Sequence, residues 1–323
     1  MTAVPDSTPD STPDSIPAIT AVIPAYNAAE FLSATIQSVI DQSFINWELL
    51  VVDDGSTDDT ADVVRQFCAQ DARIKLISKE NGGVSSARNR GAQEATAELV
   101  AFLDADDRWL PDKLAVHVDY VTSHPDSGVS FGRVELIEAD GATTGKLTNN
   151  ISQQLSPEDF FYTNPTVTTS NMVIRKAVFL EMDGFDKTMQ YNEDVDLLLR
   201  IALQGSVTID AIDQVLVQYR LHTSGLSSTL LKMEEGWITL MDKAAKRAPG
   251  LVAKHYSAAY GAQLQYLARQ TLRLNMPAAM GVSFMNRSLK RSWTRLYKNP
   301  KLLALAMLVY FKWATFNTFK VGV

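Results

Sequence analysis

Residues 98–107 read ELVAFLDADD. The stretch Leu99–Leu103 is unbroken by charge, and it runs straight into Asp104, Asp106 and Asp107. A short continuous apolar run suits a strand buried on both faces. Acids just past the C-terminal end of such a strand stand where open α/β sheets bind ligands. Carboxylates this close repel one another, and a hard cation between them relieves the repulsion. Taken alone, the segment reads equally well as a solvated acidic turn. Its neighbours in the chain decide between the two.

Upstream, ITAVIPAYN (19–27) predicts a buried strand broken by Pro24, with Asn27 capping the next helix. That helix carries Phe31, Leu32, Ile36, Val39 and Ile40 at helical spacing. WELLVVDDGSTDDT (47–60) predicts a second strand, a turn, and a helix capped by Ser56 or Thr57 with Asp58 and Asp59 in its first turn. RIKLIS (73–78) is a third strand, and NGGVSSARNRG (81–91) is a Gly-rich loop entering a helix. Four strands alternating with helices in about 90 residues predict an α/β fold, a Rossmann-like, mostly parallel sheet flanked by helices. No GxGxxG follows the first strand, which argues against a dinucleotide fingerprint.

Downstream the pattern changes. Residues 127–145 predict a hairpin and TTSNMVIRK (168–176) another strand. Residues 182–205 read as a loop and then a helix ended by Gly205, and 207–222 as extended chain. Beyond about residue 228 the pattern is helical throughout.

With 323 residues, 46% of them hydrophobic, the chain can bury a substantial core. The single cysteine, Cys68, excludes an intramolecular disulfide and fits a reducing compartment. No charged-then-apolar start is present, so a secretory leader is not expected. The net charge of −7 conceals an asymmetry. Residues 1–229 hold 15 Lys and Arg against 34 Asp and Glu, a net of −19, whereas 230–323 hold 15 against 3, a net of +12. Such polarity implies an anionic partner for the basic end, a membrane surface or, as the weaker alternative, nucleic acid. Nucleic acid predicts steeply salt-dependent binding.

Two stretches near the C-terminus bear on that partner. In 286–298, Leu289, Trp293, Leu296 and Tyr297 form an apolar stripe, with Arg287, Lys290, Arg291 and Lys298 around the other side. In 302–319, LLALAMLVYFKWATFNTF, the apolar run ends after ten residues at Lys312, short of the roughly 20 needed to span a bilayer. Two readings stay open. The run lies in a membrane interface, with the basic helix on anionic headgroups, or it packs on the core as an ordinary helical subdomain.

Five motifs in order, VIPAYN, VVDDGSTD, NGGVSSARNRG, FLDADD and YNED, closely resemble those of the family 2 glycosyltransferases. These are inverting enzymes of GT-A fold that use nucleotide-sugar donors. The resemblance covers about residues 18–225 and leaves the C-terminal hundred residues without a matching pattern. It implies a nucleotide-sugar-binding half over 18–107 and an acceptor-binding half over 108–227. Around these lie a disordered tail over 1–17, where PDST repeats, and a basic helical region over 228–323.

The resemblance also implies roles. Asp54 accepts from a base N–H, with Asp53 as the neighbouring candidate or a turn former ahead of Gly55. Pro24, Ala25 and Tyr26 line the base pocket. Arg88, and after it Arg90, offers a guanidinium to the diphosphate. Asp104, Ala105 and Asp106 form the DxD element. There Asp106 ligates Mg²⁺ or Mn²⁺, Asp104 contacts ribose or metal, and Asp107 stands behind them. Inversion needs a base to take the proton from the attacking acceptor hydroxyl. YNED puts Glu193 and Asp194 at a helix start, and the family pattern assigns the base to Asp194. Acids there also serve plain dipole complementarity. His222 approaches the metal or the diphosphate, and Arg220 offers a cation.

No QxxRW motif is present, which implies transfer of one sugar or a few without polymer export. The expected activity is a metal-dependent, hexosyltransferase-like transfer from a nucleotide sugar, UDP-sugar foremost, to a glycan or lipid-linked acceptor. The expected setting is cell-surface polysaccharide or glycolipid synthesis, peripheral on the cytoplasmic face of the membrane. The alternatives are a sugar-phosphate nucleotidyltransferase and a non-catalytic nucleotide-sugar-binding module.

Overall fold

Four apolar segments form the centre of the sheet: β1 (Ile19–Ala25), β2 (Trp47–Asp53), β3 (Ile74–Ser78) and β4 (Leu99–Phe102). This is a computed structural model, and it describes residues 16–148, 155–221, 229–292 and 299–318. The four strands lie in the order β3-β2-β1-β4, all parallel. Crossover helices α1 (Ala29–Ile40), α2 (Thr60–Cys68) and α3 (Val84–Glu94) join them. The chain steps outward from β1 to β3 and then returns to β4 on the other side of β1. That reversal opens a crevice beyond the strand ends, where doubly wound sheets bind ligands.

The second half extends the same sheet. It holds β5 (Arg108–Trp109), α4 (Lys113–Ser123), β6 (Ser127–Ile137) and β7 (Thr143–Leu147). Then come α5 (Asp159–Tyr162), a 3₁₀ turn (Thr169–Asn171), β8 (Met172–Arg175), α6 (Lys176–Glu181), α7 (Glu193–Gln204) and β9 (Thr208–Arg220). β8 runs antiparallel to β4 and to β6, β9 runs parallel to β6, and β5 closes the edge. The predicted hairpin is the β6–β7 pair.

Side chains alternate between two cores, as the strand period of two requires. Val22, Val52, Phe102, Phe131 and Ile174 face one, and Ala21, Val51, Ala101 and Val173 the other.

Several local expectations change. The strand expected over 168–176 begins only at Met172. Thr168 caps the 3₁₀ turn instead, accepting from the Ser170 N–H, a local bond of the kind that competes with a strand ladder. β1 continues through Pro24 unbroken. Asn27 does not cap α1, since its φ is 48° and its Oδ1 accepts from Thr57 N at 2.8 Å. α2 is capped by neither Ser56 nor Thr57. Asp58 lies ahead of it and accepts from Thr60 N at 3.0 Å.

The C-terminal region packs α8 (Leu230–Arg247), α9 (Pro249–Arg273), α10 (Ala278–Ser292) and α11 (Pro300–Thr318) against the second half. Buried Asp196 on α7 takes Lys243 at 3.3 Å and Arg247 at 3.6 Å, so α8 is held by charge as well as by apolar contact. α11 buries Leu302, Leu305, Ala306 and Val309 and exposes Leu303, Met307, Leu308, Phe311 and Trp313. Among the described residues no helix is long and apolar enough to cross a membrane. Trp293, Leu296, Tyr297 and Lys298 of the expected basic helix lie outside the described residues.

Candidate active site

β4 delivers the acidic turn to the crevice, and backbone contacts pin it there. Thr35 on α1 places its hydroxyl 2.8 and 2.9 Å from the carbonyls of Ala105 and Asp107. Arg220 Nε donates to the Asp106 carbonyl at 2.7 Å, and Ser170 Oγ accepts from Asp104 N at 3.0 Å. Asp107 is fully buried and points inward. Its Oδ1 accepts from Arg220 N at 2.9 Å and its Oδ2 from Ser170 Oγ at 2.5 Å. Burial raises its pKa well above the usual carboxylate range, and Asp106 and Asp104 add to the effect. Asp107 is therefore a fixture of the turn. Asp104, Ala105 and Asp106 are half-buried beside it.

Arg88 on α3 is 4% exposed and differs from its expected orientation. Nη2 donates to Asp104 Oδ1 at 2.6 Å and Nη1 to Glu193 Oε1 at 2.8 Å. Two carboxylates hold the guanidinium charged, above its ordinary range despite burial. It ties acids together rather than facing outward. Arg90 is further away in role, paired with Glu94 at 2.9 Å on the outer face of α3. Arg220 likewise serves the turn, with Phe31 under its guanidinium at 5.0 Å.

Glu193 and Asp194 open α7, both buried. Burial pushes the Glu193 carboxyl up to about 7, with Arg88 opposing and Asp194 adding. Burial also raises Asp194, against two donors: Asn164 Nδ2 to Oδ2 at 2.7 Å and Val195 N to Oδ1 at 2.8 Å. Asn164 is itself locked, its Oδ1 accepting from Thr166 Oγ1 at 2.8 Å.

On the β1–β2 side of the crevice lies a cavity of about 440 Å³. Pro24, Ala25, Tyr26, Asp54, Gly82 and Lys187 are among its walls. Tyr26 is half exposed there. Asp54 lines the cavity but also braces the glycine loop: Gly83 N donates to Oδ2 at 2.7 Å, Gly82 N to Oδ1 at 3.0 Å, and Lys79 pairs with it. The amides of Gly82 and Gly83 are thus turned to Asp54. Asp53 forms a turn, its Oδ1 accepting from Ser56 N at 3.0 Å.

The structure thus brings Arg88, Asp104, Glu193 and Asp194 together. His222 lies outside the described residues. Asn164, Thr168 and Ser170 belong to the cluster and carry no motif that announces them. Their only signal is a run of small hydroxyl and amide residues, TNPTVTTSN (163–171), ahead of β8.

No group of three or more His, Cys, Asp or Glu side chains among the described residues is arranged to hold a metal. Asp104 and Asp106 offer oxygen donors alone. That fits a hard divalent cation, which keeps several places for water and phosphate oxygens.

A family model described as Glycosyl transferase family 2 matches residues 20–182. The chain is 30% identical over 216 residues to the putative teichuronic acid biosynthesis glycosyltransferase TuaG of Bacillus subtilis, covering 66% of this chain and 83% of that protein. It is 30% identical over 226 residues to the Escherichia coli UDP-Glc:alpha-D-GlcNAc-diphosphoundecaprenol beta-1,3-glucosyltransferase WfgD, covering 69% and 85%. The mannosyltransferase PcManGT of Pyrobaculum calidifontis, solved with GDP-Man and Mn²⁺, matches the fold with a TM-score of 0.58 at 19% identity, over 95% of this chain and 89% of that one. S. aureus TarS 1–349 with UDP-GlcNAc matches with a TM-score of 0.55 at 17% identity, over 90% and 79%.

Proposed function

The chain belongs to glycosyl transferase family 2 and is a glycosyltransferase, and from that premise we propose that it transfers a sugar from a nucleotide-sugar donor with inversion, Asp194 acting as the base. One observation carries this reading. Arg88 bonds Asp104 and Glu193 at once, so the acids beside the donor and those beside the acceptor form a single unit.

In this reading the base of the nucleotide lies in the cavity against Tyr26 and Asp54, and exposed Lys187 reaches the diphosphate. Asp104 and Asp106 would hold Mg²⁺ or Mn²⁺. When bound, the cation neutralises charge on the departing diphosphate. Asp194 takes the acceptor's proton. Its two donors leave each oxygen a free lone pair, and Asn164 fixes its orientation. Burial lifts its pKa toward neutrality, where a general base is most effective.

The donor is a UDP-sugar foremost, and the acceptor a glycan or a lipid-linked sugar of cell-surface polysaccharide. WfgD, by its name, acts on such a diphosphoundecaprenol-linked sugar. The exposed apolar face of α11, set in a C-terminal region of net +12, supports docking on an anionic cytoplasmic membrane face.

The test is a panel of UDP-, GDP- and dTDP-sugars with Mn²⁺, Mg²⁺ or EDTA. Nucleoside diphosphate should be released from one donor, with release lost in EDTA and in Asp106→Ala. Formation of nucleoside triphosphate and sugar 1-phosphate when pyrophosphate is added to the donor, or no donor binding by folded protein, contradicts the reading.

A further inference from the structure

A second cavity, of about 400 Å³, opens between α5, the start of α7, and helices α8 and α9. That is within the range of about 300–1,000 Å³ usual for small-molecule sites. Its inner wall is rigid. Trp237 Nε1 donates to the Phe161 carbonyl at 3.1 Å, and the indole stacks on Tyr260 with centroids 5.2 Å apart and planes at 9°.

Four features give the cavity a chemistry. Tyr162 and Tyr266 line it and keep more than a third of their surface exposed, so aromatic surface is on offer to an occupant. Amphipathic rings of this kind present an apolar face with a polar edge. Gln270 lines it too. It is 8% exposed, and its Oε1 is buried with no hydrogen-bond partner among the described residues. A buried acceptor without a donor is costly, and an occupant's hydroxyl would satisfy it.

Asn164 belongs to the cavity wall and also donates to Asp194 at 2.7 Å, while Asn192 and Val195, which flank the Glu193–Asp194 pair, line the same space. The cavity therefore opens beside the base. Arg273 completes the lining, exposed and with no carboxylate partner among the described residues.

Resting on the transferase reading above, we propose that this cavity is the acceptor site. It takes a saccharide unit against Tyr162 and Tyr266, with one hydroxyl on Gln270 Oε1, the attacking hydroxyl toward Asp194, and an anionic substituent on Arg273. Three of the residues that would select the acceptor, Tyr266, Gln270 and Arg273 on α9, lie outside the span matched by the family model, which ends at residue 182. The anionic group is a phosphate or a carboxylate. A lipid diphosphate and a free sugar phosphate share that chemistry.

The experiment is saturation-transfer NMR on the full chain. The probes are the octyl glycosides of glucose, galactose, mannose and N-acetylglucosamine, and the 1-phosphates of the same sugars. At least one sugar should bind wild type, and Tyr266→Ala and Gln270→Leu should each weaken it by about tenfold, equal to about 1.4 kcal/mol. The matching 1-phosphate should bind several-fold more tightly than the glycoside, and Arg273→Gln should erase the difference. Adding the octyl 1-phosphodiester separates sources: tighter binding than the free 1-phosphate indicates a lipid carrier, equal binding a soluble sugar phosphate.

The proposal is overturned if no probe binds the folded chain, if both cavity variants bind as wild type does, or if phosphate brings no gain. UDP and GDP titrations run alongside. Their failure in wild type would indict the donor site, not this cavity.

Discussion

Asp194 can act as a base only while it is charged, and its surroundings set when that is. Burial raises its pKa, and the amide of Asn164 opposes the rise. The unprotonated form is needed, so kcat/KM should fall as pH drops through a pKa raised from the ordinary aspartate value. Asn164→Ala removes a donor that favours the charged form, so the rising limb should move to higher pH. A pH profile of both proteins checks the sign, and an unmoved limb would free Asn164 of this role. Arg88→Gln leaves Asp104 and Glu193 without their shared cation. Breaking a buried pair from one side costs about 3–5 kcal/mol. The lower end is expected because Asp104 is partly exposed and Glu193 can take a proton, and urea unfolding measures it. The acids themselves were legible because each motif is local in sequence. Their connection was not. Arg88 lies 16 residues from Asp104 and 105 from Glu193, and nothing in a Gly-rich helix start says which way a guanidinium turns.

At the scale of elements, α3 positions Arg88 by lying close on β1 and β2. A Cβ at Gly91 would come within 2.3 Å of Val22 Cγ1 and 3.2 Å of Val52 Cγ2. Alanine gains about 1 kcal/mol of helix propensity, but overpacking a tight core costs about 1–3 kcal/mol. The stiff, β-branched Val22 sits mid-strand and cannot swing aside, so the clash should win. Gly91→Ala is expected to lower the melting temperature and reduce turnover together. In the helical region, Glu234 on α8 is buried and accepts from Arg287 Nη1 at 3.1 Å, with the Tyr260 hydroxyl also on it. Glu234→Ala should destabilise by about 1–3 kcal/mol, the range for losing bonds to a charged group, as thermal melting would show. The parallel strands were readable because continuous apolar runs have few other uses. The segment over 168–176 misled because its hydroxyls bond turns and carboxylates, and periodicity does not register that.

At the scale of the whole molecule, the nucleotide half, the acceptor half and the helical region share one continuous core cluster from Val22 to Val309. The charge asymmetry was plain in the composition, but its physical expression was not. α11 is apolar nearly all round: one face packs on the bundle, and the other is exposed, where the membrane reading is open to a direct test. Vesicles of phosphatidylglycerol and phosphatidylcholine should sediment with the chain, vesicles of phosphatidylcholine alone much less. Phe311→Ser should weaken that binding without altering donor turnover in solution. Equal sedimentation with both vesicles, or none with either, would remove the membrane from the picture.

The most direct single measurement is the steady-state kinetics of Asp194→Asn with the preferred nucleotide sugar. If Asp194 removes the acceptor's proton, kcat should fall by about 10²–10⁴-fold while the donor KM and nucleotide binding stay near wild type. Turnover at the wild-type rate, or loss of donor binding in place of turnover, would contradict its assignment as the base.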